Sequence, residues 1–197
     1  MRGPVLVVVA VAAIGAHAQA PLLRVAVEPA GVRLELVRDT CAEADAIWRR
    51  AGVAIEWRYD RGDADVRVVF SDPPGGSDDG PLTLGWLIFT ADVPDPIVHL
   101  SIANTTRLLR DSTDVVVALQ TMKPWQREAL VPRGLGRALA HELGHFLLAS
   151  KHHTPSGLMR AQHTGAEMFD AGRLPFAIDP QLRAVAATQV VSLTARR

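Results

Sequence analysis

The sequence predicts an α+β domain, and three observations carry that expectation. Alternating or fully apolar stretches crowd the first half, a long helical stripe dominates the second, and the two kinds of element are segregated along the chain. The chain has 197 residues, 48% of them hydrophobic, enough for one core that needs no disulfide staples. Its 21 Lys and Arg balance 21 Asp and Glu and are dispersed, which argues against a nucleic-acid partner, since such binders carry a basic stripe. The one cysteine, Cys41, excludes an intramolecular disulfide framework and any Cys-cluster zinc finger. It reads as a small buried apolar residue.

The N-terminus reads as a targeting segment. Met1-Arg2 is followed by an apolar run over residues 4–15 and by Ala16-His17-Ala18, a small-x-small cleavage pattern. The run is shorter than the roughly 20 apolar residues that span a bilayer. Residues 1–18 are therefore expected to be a cleaved signal peptide and 19–197 a single mature domain. That places the protein in the periplasm or the medium, with no membrane attachment after cleavage.

The elements follow in order. Residues 22–27 and 32–36 read as short strands around Glu28-Pro29-Ala30-Gly31. Asp39 or Thr40 can cap a helix over 41–51, with Ala44, Ile47, Trp48 and Ala51 on one face. Residues 53–59 alternate as a strand, 66–70 form a more fully apolar one, and 71–81 (SDPPGGSDDGP) are a loop. A strand over 82–90 carries Gly85 at a bulge or close approach. Pro94 and Pro96 ahead of a strand over 97–102 suggest a sheet edge, because proline cannot donate to a ladder. After the central helix come a short segment over 166–171 and a last helix over 179–193, starting at Asp179-Pro180. Its Leu182, Val185, Ala186 and Val190 are expected to pack inward.

The chemistry lies in His141-Glu142-Leu143-Gly144-His145. Residues four apart on a helix lie about 40° apart around the axis and about 6 Å apart along it. Both imidazoles can therefore grip one cation, while Glu142, to one side, can serve a water at that metal as general base. Pro132 suits the helix's first turn. Leu135, Leu139, Leu143, Phe146 and Leu147 give the same helix an apolar face for the core. A catalytic zinc takes three protein ligands and leaves one position open. His152 and His153 are both candidates for the third, and spacing alone does not separate them. Glu167 is a weaker candidate, and His163 and His99 read as surface or rim residues.

This stretch resembles the metzincin clan of zinc metallopeptidases, whose signature HExxHxxGxxH precedes a methionine turn. His141, Glu142 and His145 match, and Gly157-Leu158-Met159 looks like the turn. Two positions depart: Leu148 stands in place of the glycine and Lys151 in place of the third histidine. Without the glycine the helix is expected to run on by about a turn and reverse through Ala149-Ser150-Lys151. The segment is also similar to exported bacterial HExxH peptidases, and that resemblance implies His153 as the third ligand, with His152 the alternative.

The resemblance implies a zincin-like fold: a mixed twisted sheet packed on an N-terminal helix and the HExxH helix, then the Met-turn and a C-terminal helix. It implies a monomeric hydrolase that holds Zn2+ through His141, His145 and His153 and cleaves peptide or protein substrates with Glu142 as general base. Extended peptides could add to the strand over 97–102. No tyrosine follows the Met-turn, since the one tyrosine is Tyr59, so no extra ligand of that type is assigned. The alternative is a zincin-like protein whose metal serves structure or recognition with little turnover.

Overall fold

The computed structural model describes residues 22–72 and 82–196; the expected signal peptide and most of the 71–81 loop lie outside them. The architecture is α+β, with a mixed five-stranded sheet in the order β2-β1-β3-β5-β4. The strands are β1 (Leu22–Glu28), β2 (Ala54–Arg58), β3 (Val66–Phe70), β4 (Gly85–Thr90) and β5 (Val93–Leu100). All neighbouring pairs are parallel except β4 with β5. Period-two patterning sets the sheet's inner face, where Leu23, Val25, Val27, Val66, Val68, Val98 and Leu100 are almost fully buried.

Two long helices cover that face, α1 (Leu34–Arg50) and α5 (Leu130–Leu148). Between them in sequence come α2 (Ile102–Asp111), α3 (Thr113–Leu119) and α4 (Pro124–Glu128). After them come α6 (Gly165–Phe169), a 3-10 turn at Leu174–Phe176 and α7 (Pro180–Ala195). Helix α5 is the hub, packing on α1, α2, α6, α7, β4 and β5. Leu135, Leu139, Leu143 and Leu147 sit in the core as the stripe predicts, and Pro132 lies in the first turn. Cys41 is buried, and that burial pushes its thiol up to about 12. Among the described residues no helix is long and apolar enough to cross a membrane.

Three expectations are corrected. Residues 32–36 are not a strand: after a turn with positive φ at Ala30 and Gly31, α1 begins at Leu34. Alternation over five residues lost to the longer 3.6-residue period of Val37, Thr40, Cys41, Ala44 and Trp48. Thr40 is accordingly internal, its hydroxyl donating back to the Leu36 carbonyl at 2.8 Å. The second correction concerns the sheet edges, which are β2 and β4; β5 lies inside, between β3 and β4. Pro94 and Pro96 precede Ile97, where β5's pairing with β3 begins, so their missing N–H groups fall on an overhanging end. The third is α7, capped by Asp179 as expected, in which Ala186 and Val190 are buried but Val185 is half exposed. Helices α2 to α4 have no counterpart in the sequence reading.

Candidate metal centre

The helix α5 presents His141 and His145 one turn apart, and the chain then doubles back. It turns at Ala149, whose φ of 45° is left-handed, and the Ser150 N–H closes onto the His145 carbonyl at 3.2 Å. The helix therefore stops at Leu148, and the chain reverses from Ala149, within the Ala149-Ser150-Lys151 stretch where the sequence placed the reversal. Reversal brings His153 back over the helix. Its ring centroid lies 5.3 Å from that of His141 and 5.0 Å from that of His145. One ligand nitrogen from each of His141, His145 and His153 falls within 4.8 Å of the others. The three are close enough to bind one metal ion, and His152 is not among them.

Hydrogen bonding sets which nitrogen of the two helical rings faces the ion. His141 Nδ1 lies 2.8 Å from the Leu158 carbonyl, and His145 Nδ1 lies 2.6 Å from the Ser150 carbonyl. A carbonyl only accepts, so each Nδ1 carries the proton and donates it. Each Nε2 is thereby left with a lone pair, and these two nitrogens approach to 3.0 Å. Two lone pairs facing each other at that distance repel unless a cation sits between them. Two nitrogens about 2.05 Å from a tetrahedral zinc would be about 3.3 Å apart, so the residues fit such an ion. Burial lowers the His141 imidazole to about 4 and also lowers that of His145, keeping both in the neutral, ligating form.

The turn after the ligands supports them from beneath. Leu158 offers its carbonyl to His141, while its own N–H donates to the Ala177 carbonyl at 2.9 Å. Gly157 takes a φ of 78° with the Ala177 carbonyl against it, which no side chain would permit. Met159 is buried, and its sulfur occupies the space that a Cβ on Gly144 would need. Trp48 fixes α1 to the same stretch, its Nε1–H donating to the Ala140 carbonyl at 3.1 Å.

Glu142 is nearly buried beside the ligands, and desolvation raises its carboxyl to about 8. It faces β4 at Gly85, where an added Cβ would lie 3.0 Å from Glu142 Cγ. The glycine thus marks the close approach that the sequence suggested. A cleft of about 830 Å³ runs past these groups, with Gly85, Trp86 and Phe89 of β4 on one side and Arg160 and His163 on the other.

The remaining candidates fall elsewhere. Glu167 caps α6: its Oε2 accepts from the Thr164 N–H and hydroxyl and from Arg160, and these bonds hold its carboxyl down at about 2. His163, expected at the surface, is half buried and stacks on Phe176 with centroids 4.5 Å apart. His99 stacks on Trp86 at 4.8 Å. Sequence reasoning missed Arg137, buried one turn before His141. It reaches Glu43 of α1 at 3.1 Å, the Asp170 carbonyl at 2.8 Å, the Gly172 carbonyl at 2.5 Å and the Glu167 carbonyl. No family model matches the chain, and no curated protein matches it.

Proposed function

We propose that this chain is an exported, zincin-like zinc metallopeptidase. The observation that carries the reading is the convergence of two unprotonated Nε2 atoms and His153 on one point, with the buried carboxyl of Glu142 beside it. Three imidazoles suit a borderline-soft cation such as Zn2+, and leave room for a fourth position. The long helix, the turn at Gly157-Leu158-Met159 and the antiparallel edge strand over the cleft support a zincin-like arrangement.

When bound, zinc supplies Lewis acidity to the scissile carbonyl and to the attacking water. The protein supplies the rest. The Leu158 and Ser150 carbonyls orient His141 and His145 through their Nδ1–H groups. Desolvation makes the Glu142 carboxylate a stronger base than a free one, and in its ionised form it would take a proton from water and deliver it to the leaving amine nitrogen. The edge strand β4 can pair an extended peptide by main-chain hydrogen bonds, the role expected at sequence level of residues 97–102.

The test uses the purified chain and an unfolded protein substrate, with and without chelator. Cleavage should stop on chelation. It should also be lost in Glu142→Gln, by about 100-fold or more, with the metal still bound. Metal stoichiometry should fall in His153→Ala and hold in His152→Ala. Cleavage that survives chelation, or equal cleavage by Glu142→Gln, overturns the peptidase. A Glu142→Gln protein and a wild type that bind metal alike and cleave nothing would favour the structural or recognition role instead.

A further inference from the structure

Lys151 stands where the resembled signature keeps a ligand, and the metal-binding geometry gives it no task. The structure gives it another position. The side chain leaves the ligand loop, two residues before His153, and reaches the β4–β5 hairpin on the opposite rim of the cleft. Its Nζ lies 2.8 Å from Asp92 Oδ1 and 5.2 Å from the centroid of the Phe89 ring. Asp92 is aimed by a tight turn in which it and Ala91 both take positive φ, 65° and 48°. Such a two-residue turn follows the twist of its strands and holds its tip in a defined place. Lys151 and Phe89 both line the cleft.

The lower and upper rims are thus joined at one end of the groove. The opposite end lies near Leu82 and Leu108, where the Asn104 amide donates to the Thr83 carbonyl at 2.8 Å. A peptide lying along the free edge of β4 meets this strap as an obstacle. Glu142 marks the reacting centre, against Gly85. Phe89 lies four residues farther along β4, which at ~3.4 Å per residue is about 14 Å. A substrate chain therefore has space for about four residues between the bond to be cut and the strap.

Direction follows from the sheet. The strand β4 runs from Gly85 toward the strap and already pairs antiparallel with β5. A peptide that continues the antiparallel alternation runs away from the strap, so its N-terminal residues lie beneath Lys151 and Asp92. We infer that the Lys151–Asp92 strap makes these two residues specificity determinants, favouring substrates with no more than about four residues on the N-terminal side of the cleaved bond. The class of substrate is short peptides and the exposed N-terminal ends of longer chains. This inference rests on the peptidase reading above.

The experiment uses the zinc-loaded full chain and two peptide series around one cleaved bond. One series is lengthened stepwise on the N-terminal side, the other on the C-terminal side. In the wild type kcat/KM should drop by about threefold to tenfold once the N-terminal side passes about four residues, the scale an exposed ion pair with a cation–π contact can support. It should not drop with C-terminal length. Lys151→Ser and Asp92→Asn should each flatten the N-terminal dependence, while Lys151→Arg should keep it. Asp92 lies off the ligand loop, so its variant separates the strap from any disturbance of His153, and zinc stoichiometry and the melting temperature of each variant check the fold. Equal rates across the N-terminal series in the wild type, a penalty on the C-terminal side instead, or an unchanged penalty in both Lys151→Ser and Asp92→Asn overturns the strap. Failure to cleave any peptide of any length overturns the peptidase reading itself.

Discussion

Ala149 is the residue on which the site's shape turns. Its φ of 45° places a Cβ in a region that costs an L-residue roughly 1–2 kcal/mol. Ala149→Gly should remove that strain, and the freer unfolded chain of glycine should take back part of the gain. The expected net is a stabilisation of about 0.5–1 kcal/mol, read as a higher urea midpoint with metal binding retained. Gly85 sets a complementary limit on the other rim. In Gly85→Val the added atoms would meet Glu142 Cγ, Leu100 Cδ2 at 3.2 Å and the His99 carbonyl at 3.3 Å. If the proposed peptidase reading holds, kcat should fall at least tenfold as Glu142 is displaced, while metal stoichiometry stays near that of the wild type. At this scale the sequence was informative where periodicity speaks. His141 and His145 are four apart on a helix, so their shared face is a matter of geometry. His152 and His153 are neighbours in a loop, where no period separates them, and only the reversal at Ala149 does. His163 carried no signal at all, because its burial comes from Phe176, reached only when the chain has folded back.

Among the elements, α1 and α5 set the site's foundation. They approach closely because Gly136 has no side chain: a Cβ there would lie 2.5 Å from Glu43 Cβ and 2.6 Å from the Thr40 carbonyl. Within that contact Glu43 joins two guanidinium groups, Arg137 Nε at 3.1 Å and Arg173 Nη2 at 2.5 Å. Arg137 is almost wholly buried. Glu43→Ala would strand its charge, so the variant should lose about 3–5 kcal/mol in chemical denaturation. Double replacement of Glu43 and Arg137 by apolar residues should recover part of that loss. The long elements were legible for the reason α5 is: several turns of apolar stripe outweigh local noise. Helices α2 to α4 are short, and α3 and α4 bury little, so no stripe forms. The local cues were Ser101, whose hydroxyl accepts from the Asn104 N–H at 3.1 Å and caps α2, and Pro124 in the first turn of α4. The prolines of β5 misled because they report a missing donor, and a donor is as dispensable on an overhang as on an edge.

For the whole molecule, the pairing order β2-β1-β3-β5-β4 joins residues far apart in sequence, and no window of composition encodes it. The α+β class was legible because it depends only on which elements occur and in what order. A metal ion held by the three histidines would couple the site to global stability, since its ligands come together only in the folded chain. At zinc a thousandfold above its dissociation constant, binding to the folded state alone adds about 4 kcal/mol. For a domain of this size that corresponds to a Tm about 8–16 °C higher than in the chelated protein, measurable by a calorimetric scan with and without chelator.

The seat of Met159 has a last consequence. Its sulfur fills the hollow left by Gly144, directly below the helical turn that joins His141 to His145. Conversion to the sulfoxide would add a polar oxygen to a hollow already filled. Because the thioether is sealed from solvent, peroxide reaches it only in molecules that have opened. Those molecules then cannot close again on the same geometry, so oxidative damage would show as progressive, all-or-none loss of protein able to bind a metal.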